Sequence, residues 1–361
     1  MHFSFAALLP LALTLSSSLA EARTHPERLA KRCDDHSSTT VSSFASSSTS
    51  SAAAVATSST SIKASTDVFG FASLNGGTTG GAGGSETTVS DLDTLRDAVE
   101  GDDAAIIYID GIITGDGETV KVGSNKSILP ANGGGADGLT GGGLMVKEAS
   151  NVIIQGLSFS KSPAPTDLVA IQESTNVFVA YNTFASDLDH DKDYYDGQLD
   201  ITHAGDYITV AWNVFKDAYK TSLIGHSDSN GDEDEGHLRV TYAYNHFTNV
   251  NSRLPSIRFS AAAHIYYYDS VLSSGINSRQ GAEVLIESNY FEDASNPIMS
   301  SEEGGYVVVN DDNIYVDSED PDLSNVGTIS SSDLGYSYSL EAGADVPALV
   351  VAGAGAEKYS A

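Results

Sequence analysis

The apolar positions of this chain recur through its middle as short runs of alternating residues, most of them closing on an Asn and then an aromatic. The runs are NVIIQGLSF (151–159), NVFVAYNTF (176–184), YITVAWNVF (207–215), LRVTYAYNHF (238–247) and EVLIESNYF (283–291). Period-two runs rich in β-branched residues predict strands. The closing phenylalanines Phe159, Phe184, Phe215, Phe247 and Phe291 are separated by 25, 31, 32 and 44 residues. A recurring unit of that size predicts a repeat architecture. No helical periodicity of useful length lies between the runs, which argues against βαβ units. The pattern therefore predicts an all-β fold, a single-stranded parallel β-helix. Equivalent positions stack along its axis, and the variable spacing becomes loops on one face.

Asn182, Asn213, Asn245 and Asn289 each stand two residues before the aromatic. Stacked in successive turns they would form an amide ladder that satisfies bent backbone. The plainer alternative is that Asn simply ends each strand at a turn. One short helix is predicted early, over SDLDTLRDAV (90–99), with Ser90 as N-cap, closing the open end of the β-helix where edges and core need cover.

Composition narrows the setting. MHFSFAALLPLALTLSSSLA reads as a signal peptide over residues 1–20, too short in its apolar run to span a bilayer comfortably. A possible pro-segment (21–32) ends in Lys31-Arg32, and residues 33–67, rich in Ser, Thr and Ala, read as a disordered linker. The predicted domain is 68–361, and the destination is extracellular. The single cysteine, Cys33, lies outside that domain, so a large core rather than disulfides must hold it. A formal net charge of −31 argues against nucleic acid and anionic membranes as partners. It equally requires that any polyanionic ligand be met by local basic groups or a bridging cation. Asn125 heads an NKS glycosylation sequon placed within a strand.

The candidate chemistry lies between Asp167 and Arg279. Asp196 and Asp200 sit four apart in DYYDGQLDI, and Asp167 lies one repeat earlier, so stacking would bring it to them. Three carboxylates suit calcium, which takes six to eight oxygens in irregular geometry. They equally fit a description as solvated loop acids in a chain with 49 of them. Lys220 in KTSLIGHSD and Arg253 and Arg258 in SRLPSIRF gather basic groups beside these acids. The odd spacing of the two arginines sends them to opposite faces of a straight strand, whereas a bend at Pro255 would bring both to one cleft. His226, Ser227 and Asp228 are adjacent on one segment, so they cannot form a Ser-His-Asp triad together. His226 reads as structural.

At these residues the sequence resembles the pectate lyases, polysaccharide lyase family 1, and among them the fungal secreted members. The likeness runs from GFASLNGGTTGGAGG (70–84) through SDLDHDKDYYDGQLDITHAGDYITV, SLIGHSD, GHLRVTYAYNHF and NSRLPSIRF to SGINSRQGAEVLIESNYF (274–291). The resemblance implies a right-handed parallel β-helix. It implies that Asp167, Asp196 and Asp200 ligate calcium (Ca2+), that Lys220 and Arg258 bind substrate, and that Arg253 is the catalytic base. Arg279 in INSRQGA resembles a further uronate contact. The implied reaction is calcium-dependent β-elimination of α-1,4-polygalacturonate, the backbone of pectin, by a monomer.

The C5 proton lies next to a carboxylate whose charge opposes carbanion formation, so nearby cations would supply the main electrostatic stabilisation. An arginine is ordinarily protonated, so its use as a base implies activity that rises at alkaline pH. Ala180-Tyr181, Lys216-Asp217-Ala218-Tyr219 and Ser260 depart from the family's usual residues without removing any of these groups. The acidic trio argues against a pectin lyase, which needs no calcium. A non-catalytic pectin-binding β-helix would be expected to have lost Arg253 or the acids.

Overall fold

Isoleucine, valine and leucine at alternate positions turn one face of each strand inward, and the polypeptide coils so that every inward face meets the others. The computed structural model describes residues 67–266, 273–300, 304–310 and 312–360. The expected signal peptide and pro-segment, and all of the expected linker but Asp67, lie outside the described residues. All paired strands of the main sheets run parallel, and each pairs with its counterpart one turn away. The result is a right-handed parallel β-helix with three faces, in which successive turns are joined as parallel crossovers of the common hand.

Among the described residues the first face is ten-stranded, from Ser85–Val89 to Tyr306–Val309. The second is eight-stranded, from Thr119–Val122 to Ile298–Met299, and the third six-stranded, from Ile112–Thr114 to His246–Ser252. The interior is lined in rows. Val146, Ile171, Ile201, Ile224 and Ile257 follow one another in register on the second face, each fully buried.

The repeated phenylalanines stack inside this core. Phe159, Phe184, Phe215 and Phe247 are register partners with ring centroids 5.3, 4.9 and 4.7 Å apart and nearly parallel planes. The amide ladder forms as well. The Asn213 Oδ1 accepts from the Asn182 backbone N–H (2.8 Å) and Nδ2 (3.1 Å), and the Asn245 Oδ1 does the same for Asn213. Each ladder residue follows a corner residue in the left-handed region, namely Tyr181, Trp212 and Tyr244. The rings of these three also stack. The backbone carbonyls Ile154 O, Val179 O and Val210 O, just before the corner, accept from the amides.

Some expectations are corrected. Asn289 pairs not directly with Asn245 but with Asn313, one turn further on, whose Oδ1 accepts from the Asn289 backbone N–H and Nδ2 at 2.9 Å. The long interval between Phe247 and Phe291 contains an additional turn, carried by Ala263–Tyr266, that lacks the Asn-aromatic signature. The early helix spans Leu92–Val99 and is capped by Asp91, not Ser90, because the Asp91 carboxylate accepts the Thr94 backbone N–H. Leu95 and Val99 of this helix are fully buried against the first turns. Asn125 lies outside the strand Lys126–Pro130, at a left-handed bend just before it. Its Nδ2 donates to Asp102 O and its Oδ1 accepts from Asn151. A late helix, Val346–Gly353, packs on Trp212, Val214, Tyr244 and Tyr290. No described helix is long and apolar enough to cross a membrane.

Candidate active site

The second face carries the candidate chemistry because its strands alternate. Leu199 and Ile201 enter the core, so Asp200 between them turns outward. Asp167 stands just ahead of the strand Val169–Gln172, in the preceding turn, which pairs with Leu199–Thr202. The two carboxylates meet at Gly197. Its backbone N–H donates to Asp167 Oδ1 at 2.9 Å, and a Cβ built on it would come within 2.6 Å of Asp200 Oδ1 and 2.9 Å of Asp167 Oδ1. Stacking thus brings Asp167 to Asp200 as expected.

Crowding of these acids shows in their protonation. Burial, with the charges of Asp200 and Asp196, pushes Asp167 up to about 9, against the Gly197 N–H and the positive charge of Arg253. Burial also pushes Asp200 up to about 7, opposed by Arg253 and by the Leu223 N–H bonded to its Oδ1 at 2.9 Å. Arg253 therefore stands close enough to act on both carboxylates. It follows the strand His246–Ser252, and its carbonyl accepts from the Ser222 N–H in the turn before.

Asp196 acts on both Asp167 and Asp200 through its charge and also pairs with a base. Its Oδ1 lies 3.5 Å from Lys220 Nζ, and the same ammonium is 2.9 Å from Asp193 Oδ1. Burial lowers the lysine's affinity for its proton, but the bond to Asp193 and the charges of Asp196 and Asp193 outweigh it, leaving Lys220 above its usual range. Among the described residues, no three His, Cys, Asp or Glu side chains close around one point as a metal cage. Asp167 and Asp200 converge, and Asp196 is held by Lys220.

Arg258 ends the strand Ser256–Arg258 and Arg279 ends Ile276–Arg279, and the two are register partners on the same face. Arg253 takes a left-handed backbone conformation and Leu254 after it is fully buried, so the chain turns before the strand that Arg258 ends. Asp228 Oδ1 accepts from Arg258 Nε at 2.5 Å and from Arg279 Nη2 at 3.3 Å. The Arg258 hydrogen bond holds the Asp228 carboxyl below its usual range. His226 is exposed and lies against His203, ring centroids 4.5 Å apart, with no role in a triad.

A model of the family described as pectate lyase matches residues 44–359. The chain belongs to the pectate lyase family. Pectate lyase A of Aspergillus niger is 48% identical over 291 residues, covering 80% of this chain and 87% of that protein. Pectate lyase A of Emericella nidulans is 45% identical over 291 residues, covering 80% and 86%. Among solved structures, a pectate lyase from Bacillus sp. N165 in complex with trigalacturonate superposes with a TM-score of 0.71. It is 28% identical and covers 80% of this chain and 98% of that one. Pectate lyase II from Xanthomonas campestris pv. campestris gives a TM-score of 0.66 at 26% identity, covering 81% and 99%. The chain is accordingly an enzyme, a polysaccharide lyase.

Three residues that shape this candidate site escape a reading of the sequence. Gly197 carries no side-chain chemistry, so only the close approach of two carboxylates shows its part. Asp193 is one acid among several in SDLDHDKDYYDG. Asp228 is visible in IGHSD, but the adjacency that excludes a triad says nothing about the arginines it meets from the next turns of the same face.

Proposed function

We propose that this chain is a secreted, monomeric pectate lyase that cleaves α-1,4-polygalacturonate by calcium-dependent β-elimination, with Arg253 as base. The observation that carries this reading is the meeting of Asp167 and Asp200 across Gly197 with the charge of Arg253 beside them.

The residues present suit calcium. The donors are hard carboxylate oxygens, and the absence of a Cβ at Gly197 leaves a cradle between two of them. Asp167 and Asp200 would hold the ion, joined by Asp196 once its carboxylate leaves Lys220. Bound calcium supplies positive charge to the acidic cleft and to the carboxylate of the uronate undergoing reaction.

Lys220, Arg258 and Arg279 bind substrate carboxylates, offsetting the repulsion between a polyuronate and a protein of net charge −31. Lys220 stands nearest the acids and is aimed by Asp193 and Asp196. Arg253, in its neutral form, accepts the proton from C5. The C5–H electron pair becomes the C4–C5 double bond, the C4–oxygen bond breaks, and the departing oxygen takes up a proton. The product carries an unsaturated uronate at its new non-reducing end.

The test is ultraviolet absorbance at the unsaturated-uronate band during incubation with polygalacturonate at alkaline pH, with calcium and with chelator. The wild type is expected to give calcium-dependent absorbance that Arg253→Ala abolishes. Chelator-resistant activity on highly methylated pectin would instead identify a pectin lyase, and binding without absorbance on either substrate a pectin-binding protein.

A further inference from the structure

Arg258 and Arg279 leave the second face one strand spacing apart, about 4.8 Å, on neighbouring strands. Two guanidiniums at that distance repel unless something shares them. Asp228 does so through one oxygen, Oδ1, which accepts from Arg258 Nε and Arg279 Nη2. Each arginine has a second anchor: Arg258 Nη1 donates to Gly225 O at 3.2 Å and Arg279 Nη1 to Ser256 Oγ at 3.4 Å. The arginine side chains are 11% and 16% exposed, and Asp228 is 50% exposed.

The loop that delivers Asp228 is itself fixed. The buried Asp234 carboxylate accepts from the Ala204 N–H and from Asn230 Nδ2, and Asn230 N donates to Ser227 O. His203 Nδ1 lies 3.0 Å from Glu233 Oε2, and His226 rests on the His203 ring. Gly225, at φ +87°, gives Arg258 room to pass, since a Cβ there would stand 2.8 Å from the Arg258 Cβ.

We propose that Asp228 is a positioning residue that ties Arg258 and Arg279 into one fixed pair of anion sites for the carboxylates of a bound polyuronate. The inference rests on the substrate class proposed above. Asp228 itself touches no reacting atom. Its carboxylate takes the Nε–H of Arg258, while Gly225 O takes Nη1, so the guanidinium plane is held at two points.

The experiment is calorimetric titration of trigalacturonate, with calcium present, into wild type, Asp228→Asn, Asp228→Ala, Arg258→Ala and the Asp228→Ala/Arg258→Ala double variant. Lyase kinetics are measured on the same samples. Asp228→Ala is expected to weaken binding about tenfold and raise KM to match, with kcat within about twofold. Asp228→Asn, which keeps an acceptor but not the charge, is expected to fall between, and it carries the test if the alanine variant does not fold. In the Arg258→Ala background the second substitution is expected to change Kd less than twofold. Unchanged or tighter binding by Asp228→Ala overturns the proposal, as does an undiminished tenfold effect without Arg258. So does a fall in kcat alone. A wild type that binds trigalacturonate but yields no unsaturated product, with the Asp228 effect intact, refutes the lyase reading and leaves this one standing.

Discussion

Asp167 and Asp200 come from successive turns of the coil and meet across Gly197, the Oδ1 of each within 3 Å of where a Cβ on that glycine would stand. A side chain on that residue would collide with both oxygens, so a glycine is what allows them to converge.

Gly197→Ala should therefore disturb the metal site more than the fold. The added methyl forces at least one carboxylate aside. Calcium affinity, measured by titration calorimetry, is expected to fall at least tenfold, or about 1.4 kcal/mol. The thermal midpoint in chelator should move little. A variant with wild-type calcium affinity would show that Asp167 and Asp200 do not share an ion.

The same pair gives the stability a pH signature. Both acids are held above their unfolded values: burial and the charges of Asp200 and Asp196 push Asp167 up to about 9, and burial pushes Asp200 up to about 7 against the charge of Arg253. The folded state therefore binds protons more tightly than the unfolded state. That stabilisation is complete below about pH 4 and is lost as pH rises to about 9. Without calcium, the midpoint of wild type should decline across this window more steeply than that of Asp167→Asn, which lacks one of the groups. Calcium should restore stability most at the alkaline end, where both carboxylates are ionised. Parallel curves for the two proteins in chelator would contradict the assignment.

Lys220 is bound by acids on the exposed side of the cleft, so its removal should harm chemistry rather than folding. Lys220→Ala is expected to lower kcat by about 10²–10³, the range for loss of one electrostatic group aimed at developing charge. Its denaturation midpoint should stay close to wild type. A loss expressed wholly in KM would assign Lys220 to binding alone.

Asn213 is the middle rung of the ladder, fully buried, and bonded on both sides. Replacing it with Ala leaves the buried Asn182 N–H without its partner, at a cost of about 1–3 kcal/mol, and removes one hydrogen bond to Val179 O. Asn213→Ala should show a markedly lower urea midpoint, while Asn249→Ala, at an exposed pairing with Asp217, should not. Equal effects would mean that the ladder adds nothing to a general preference for Asn at corners.

The β-helix was legible because its signals are local and repeated. NVFVAYNTF and its relatives carry the strand period, the buried ring and the corner amide within nine or ten residues, and stacking requires only that like positions meet. The turn at Ala263–Tyr266 and the Asn289–Asn313 rung were not legible, because there the signature is absent or carried by Tyr315 in place of Phe. The N-cap shifted from Ser90 to Asp91 for a similar reason: both residues can cap, and only the position of the Thr94 N–H chooses between them.

The sequence by itself determined the repeat, the all-β coil and, through motif resemblance, which acids and bases to watch. The tertiary structure decided how those charges are apportioned. Register sets Arg258 beside Arg279, and the turn before the strand Leu199–Thr202 sets Gly197 beside Asp167. Loops between strands choose Asp193 for Lys220 and Asp228 for the arginine pair. Such pairings depend on distances across turns, over which a charge acts within a few ångströms. Spacing along the chain does not encode them, because loop length varies freely while the strand spacing stays fixed.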